Sequence, residues 1–205
     1  LEGGDPVWRL LQARLFRLVG KVDQARKALD ALEAMAPAMP GLTVERWLLA
    51  DQEKVSREAW TRVAEQSADD ADWFLELAWQ LAGLGAVDDA TALLAAALAD
   101  RSLTDSPMQV LTLAWWLRDE EGDMSRSLLD AAAGMDWASG RPHRWEEAAV
   151  LEWAAKERPD SGVIHYWVGC LAQRGKNDAA SRKAWLRAVQ CEPKLAGAHR
   201  NLGYQ

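Results

Sequence analysis

Ile164-His165-Tyr166-Trp167-Val168-Gly169 is answered 34 residues later by Ala198-His199-Arg200-Asn201-Leu202-Gly203, so that His165 and Gly169 recur as His199 and Gly203. A 34-residue period with a small residue in its first helix and Pro193 near its end is the pattern of stacked helix-turn-helix units. In such an array each unit buries its apolar face on its neighbours, so the 205-residue length does not by itself fix a number of domains. Function is expected from a surface laid out over several units and not from a catalytic pocket.

The period can be followed backwards along the chain. Gly169 is followed after twelve residues by Ser181, Trp185 comes four later, and Pro193 twelve after Ser181. Ala13, Ala25, Leu29 and Pro37 keep the same spacing, as do Ala78, Ala90, Leu94 and Ser102. Two antiparallel helices approach closely only where one presents a small side chain, and a large apolar residue fills the space opposite. The late proline ends the second helix, because it has no N–H to donate and clashes with the preceding turn. Turns are expected at Gly20-Lys21, Gly83-Leu84-Gly85, Gly122-Asp123 and Gly175-Lys176-Asn177.

These marks resemble the tetratricopeptide repeat family. The resemblance divides the chain into units at about 6–39, 40–70, 71–104, 105–135 and 161–195, with a restart at 196–205. The 40–70 unit is shortened, with Val44 and Trp47 in its first helix and Ser56 and Trp60 in its second. An independent echo supports it: Ser56-Arg57-Glu58-Ala59-Trp60-Thr61-Arg62 matches Ser181 to Arg187 at five of seven positions. The 105–135 unit is looser, carrying Leu113-Ala114 and Leu117, then Leu128-Leu129. Residues 136–160 break the pattern, with an irregular loop followed by one amphipathic helix over about 143–157 that has no first-helix partner.

The resemblance implies an all-α, right-handed superhelical solenoid of antiparallel helix pairs whose first helices line a concave groove. Trp79 and Trp115 directly follow the small residues Ala78 and Ala114, a position that resembles a groove-facing one. Glu76, Arg118, Tyr166, Trp167, Arg200 and Asn201 fall at similar groove positions. Aromatic anchors beside a few charges are the material of binding hot spots. Some members of the family hold the C-terminal carboxylate of chaperone peptides in a clamp of Lys, Arg and Asn. Here Arg14 and Arg200-Asn201 stand at such positions, with Leu75, Glu76, Leu111 and Thr112 between them, so that clamp is not assembled.

Composition narrows the partners. The chain is 49% apolar, carries a net charge of −7 and has no long basic run, which argues against nucleic acid or an anionic membrane surface. No apolar stretch reaches the roughly 18 residues that membrane insertion would need. The expected partner is a protein or peptide, neutral to basic. Twelve Trp is well above ordinary usage. Trp60 and Trp185 read as core, and Trp8, Trp47, Trp73 and Trp153 as packing between neighbouring helices. His165 and His199, at one repeat position, read as packing residues. His143, in Arg141-Pro142-His143-Arg144-Trp145, reads as the solvated start of a helix more than as an anion site. Cys170 and Cys191 read as small packing residues, and no metal, cofactor or catalytic residue is expected.

The ends, Leu-Glu-Gly-Gly and Tyr204-Gln205, suggest a piece cut from a longer protein, and the apolar face around Leu202 is expected to be exposed and to favour self-association. The expected function is a non-catalytic scaffold binding a peptide or protein segment in the groove. The alternative is the repeat region of a larger, carbohydrate-active bacterial enzyme, motivated by the Trp excess and with no activity of its own.

Overall fold

The computed structural model describes residues 4–50, 63, 72–99, 106–137 and 141–203. Eleven helices and no strand are found among them, and the chain divides into two compact units between Trp73 and Phe74. Ser56, Trp60, Ser102 and Gln205, and the echo over 56–62, lie outside the described residues.

The first unit contains α1 (Pro6–Leu18), α2 (Val22–Met35) and α3 (Pro40–Leu49). Asp5 caps α1, its Oδ1 accepting from the Val7 N–H at 2.9 Å, and Pro6 fills the first helical turn where no N–H is needed. α1 packs on α2, and α3 packs on both. Ala13, Ala28, Leu29, Leu32 and Leu42 form the core, with Leu10, Phe16 and Met39 against it. Ala13 and Ala25 are both buried, as the small-residue spacing requires. Trp47 is buried as expected, but Trp8 is 60% exposed. Trp8 lies two residues before Leu10, which puts it on the far side of α1 from the core face.

The second unit contains α4 (Trp73–Gly83) from its second residue on, α5 (Val87–Ala99), α6 (Pro107–Leu117), α7 (Gly122–Gly134), α8 (Glu147–Glu157), α9 (Gly162–Arg174), α10 (Asp178–Cys191) and α11 (Ala196–Gly203). α6 packs on α5, α7 and α8; α9 packs on α8 and α10; α11 closes against α10. Ala78, Ala90 and Leu94 are all buried, and so are Gly169, Ser181 and Trp185. The loose 105–135 unit obeys the same spacing with one residue deleted. Ser125 follows Ala114 after eleven residues, its hydroxyl donates to the Ala114 carbonyl at 2.7 Å, and Leu129 follows four later.

Seven residues after each small residue stands a further mark. Gly20, Gly85 and Lys176 are the described residues with positive φ, at +74°, +82° and +57°. Each ends a helix with the same pair of bonds: Gly20 N to Arg17 O and Lys21 N to Phe16 O, Gly85 N to Ala82 O and Ala86 N to Leu81 O, Lys176 N to Gln173 O and Asn177 N to Ala172 O. This is the Schellman cap, which satisfies carbonyls that the helix leaves open. The shortened α6–α7 turn has no such cap, and Glu121 N bonds Leu117 O there.

The His repeat is a bond made twice. His165 Nε2 donates to Pro159 O at 3.2 Å and His199 Nε2 to Pro193 O at 2.8 Å, six residues back in both cases. A carbonyl only accepts, so the Nε2–H tautomer is fixed at both positions. The Pro159 carbonyl also receives Arg187 Nη2 at 2.8 Å and Cys191 Sγ at 3.4 Å. Leu202 differs from expectation: it is half-buried and packs on the Trp185–Ala188–Ala198 cluster.

Candidate functional site

The groove candidates fall into two clusters, both in the second unit. The first is built by α4 and α6. Trp79 lies 6.1 Å from Trp115 and 5.2 Å, edge-on, from Trp116, measured between ring centroids. The Arg118 guanidinium sits 4.6 Å over the Trp115 ring, donates to the Trp115 carbonyl and lies 3.3 Å from the Asp119 carboxylate. A guanidinium over an indole face is a cation–π contact that fixes both groups. The three rings and Arg118 are half-buried, leaving part of each open. The Trp79 indole N–H is buried with no acceptor.

Glu76 stands one turn before Trp79 on α4 and is engaged. Its Oε2 accepts from Arg144 Nε at 2.9 Å and its Oε1 from Gln80 Nε2 at 3.3 Å. The Arg144 hydrogen bond, against an opposing effect of burial, holds the Glu76 carboxyl below its ordinary value. Arg144 comes from the irregular loop, and the anchor of that loop is Glu147, whose side chain is 1% exposed. Glu147 Oε2 accepts from the backbone N–H of His143 at 2.6 Å and of Arg144 at 2.9 Å, and Oε1 from Arg144 Nη1 at 3.1 Å. The helix expected from 143 therefore begins at Glu147, because His143 and Arg144 turn their N–H groups onto this carboxylate. The basic loop does hold an anion, and the anion is the chain's own.

The second cluster joins the C-terminal end of α7 to α9 and to the turn before α11. Trp137 and Trp167 stack with centroids 6.3 Å apart and planes 28° apart, and Tyr166 meets Trp167 edge-on at 5.0 Å. Trp137 is pinned by its indole N–H, which donates to Ala132 O at 3.0 Å. The Trp167 N–H is buried with no acceptor. These rings, with Asp136, Glu192 and Leu195, border an open cleft of about 380 Å³. Behind it, Asn201 Nδ2 donates to Cys170 Sγ at 3.8 Å. Burial raises the Cys170 thiol and the Tyr166 phenol above their usual values. Arg200 is exposed and lies close enough to interact with the Tyr166 hydroxyl.

Arg14 does not join either cluster. It is buried in the first unit, where Glu45 Oε1 takes its Nε at 2.5 Å and Glu45 Oε2 takes Arg17 Nε at 2.9 Å. An arginine so committed is not offered to a ligand carboxylate. Trp116, Trp137 and Arg144 are the site residues that the sequence reading missed. Trp116 adjoins Trp115 in the sequence, whereas Trp137 and Arg144 sit where the period fails and no spacing rule applies.

The fold and these clusters define the class: an all-α protein of antiparallel helix pairs that carries its polar and aromatic features on helices and on the loop between α7 and α8. No family model matches the chain, and no curated protein matches it. Among solved structures it is similar to the crystal structure of YrrB, described as a TPR protein with an unusual peptide-binding site, at 14% identity over 97% of this chain and 92% of that one, with a TM-score of 0.34.

Proposed function

We propose that this chain is a non-catalytic scaffold of tetratricopeptide-like helix pairs that binds a neutral to basic protein segment across its first helices. The observation that carries the reading is the continuous Trp79–Trp115–Trp116 surface formed by α4 and α6, edged by Arg118 and Glu76. An extended or helical segment laid across it would bury apolar side chains on the indoles, while Glu76 and Arg118 set its direction. Glu76 is tied to Arg144, which holds its carboxyl below the ordinary value and keeps a negative charge at the edge of the indoles. The net charge of −7 favours a neutral or basic segment.

The test selects peptides on the wild-type protein from a random display library and measures their Kd by fluorescence against the W79A/W115A double variant. Loss of two hot-spot indoles is expected to weaken binding at least ~30-fold, with the helical circular dichroism unchanged. Equal affinity for both proteins would move the binding surface away from α4 and α6.

A further inference from the structure

The cleft beside α9 has a chemistry of its own. Its walls are aromatic, from Trp137, Tyr166 and Trp167, and its two charged lining groups, Asp136 and Glu192, are both carboxylates. The rings are not free to fold away: Trp137 is 5% exposed and tied to Ala132 O, and it holds Trp167 by stacking. Glu192 is exposed and stands beside the backbone of α9. It lies against Gly162 at the start of α9, so closely that a Cβ on that glycine would fall 2.5 Å from Glu192 Cβ and 3.1 Å from Glu192 Oε2. Preformed walls of this kind lower the ordering cost of binding.

We infer that this cleft is a receptor for a basic side chain, Lys or Arg, presented by a protein segment. The methylene stem would lie along the indoles and Leu195, and the cationic head would sit over a ring face within reach of the two carboxylates. About 380 Å³ suits one long side chain and its flanking backbone, at the small end of ligand pockets. An acidic segment is disfavoured by Asp136 and Glu192. The inference rests on the scaffold reading above, naming a second contact point and the residue type it takes.

The test follows the indole N–H signals of Trp137 and Trp167 by NMR, assigned through W137F and W167F, during titration with the capped tripeptides Gly-Lys-Gly, Gly-Arg-Gly and Gly-Glu-Gly. Saturable shifts with the two basic peptides and none with the acidic one are expected. D136N/E192Q should weaken the basic peptides by at least ~tenfold, the loss expected when two nearby counter-charges are removed, and added salt should weaken them in the wild type, which needs no variant to fold. Equal response to all three peptides, or no response, overturns the inference. Shifts with cellopentaose but not with the basic peptides would make the cleft a sugar site and overturn it too. The W79A/W115A variant separates the two readings: it should leave these tripeptide shifts intact, so either surface can fail while the other stands.

Discussion

The indole of Trp185 rests on the α-carbon of Gly169: a Cβ built on that glycine would fall 2.5 Å from Trp185 Cδ1 and 3.0 Å from Cε2. The same indole donates its N–H to the Tyr166 carbonyl at 3.1 Å, so a fully packed ring still satisfies its polar edge. At the matching positions elsewhere the pairing is Ala13 with Leu29 and Ala78 with Leu94. A smaller filler opposite leaves room for a methyl group on the facing helix, and Trp185 does not.

G169A is therefore expected to destabilise the protein by about 1–3 kcal/mol through overpacking. The double variant G169A/W185L restores the alanine–leucine pairing of the other units and should cost clearly less than the sum of its two single changes. Denaturant unfolding of the four proteins in this cycle measures the coupling. Simple additivity would mean that the two residues do not compete for one space.

Glu45 is 1% exposed and lies between Arg14 and Arg17. Its removal takes away the carboxylate that both guanidinium groups contact, so E45A should cost about 1–3 kcal/mol, the range of a lost charge-assisted hydrogen bond. Replacing all three residues, R14M/R17M/E45L, removes these charges together with their desolvation and should recover part of that loss. Thermal unfolding of the two variants distinguishes an ion pair needed for stability from one that apolar packing can replace. Equal losses in both would mean that the shape of this core, and not its charge balance, is limiting.

The sequence carried most of the helix pairing because that pairing obeys fixed spacing. Ala13, Ala78 and Gly169 need a small side chain for close approach, and Ala25, Ala90 and Ser181 answer twelve residues on. The unit at Ala114 looked loose only because one residue is missing from its turn, which shifts Ser125 and Leu129 by one. The candidate site was legible where it lies on the period, at Trp79 and Trp115. It was hidden where it depends on long-range partners. Nothing local links Arg144 to Glu76, 68 residues away, and nothing local brings Trp137 to Trp167.

Lys176 occupies with φ +57° the cap position that Gly20 and Gly85 fill in the other units. A side chain in the left-handed region costs roughly 1–2 kcal/mol, and glycine's greater freedom in the unfolded chain returns part of the difference. K176G should thus stabilise the protein by about 0.5–1 kcal/mol. The G20A and G85A variants should lose stability by a comparable amount. Chemical denaturation midpoints test both directions at once, and a destabilised K176G would show that the lysine side chain makes a compensating contact.

The Glu76–Arg144 ion pair gives the first cluster a pH dependence whose sign is set by the depressed Glu76 carboxyl. A carboxylate with a lowered folded value stabilises the native state fully above its ordinary value of 4.5, and that contribution is lost as the pH falls through the lower folded value. The Glu76 side chain is half-exposed, which limits the contribution to below about 1 kcal/mol. The wild type should exceed E76Q in stability at pH 7, and the gap should narrow as the pH falls below 4.5 and close once the wild-type carboxyl is protonated and neutral like the amide. Thermal midpoints of the two proteins across this range give the gap directly. A gap that stays constant with pH would show that Glu76 acts through its shape and its bond to Gln80 and not through its charge on Arg144.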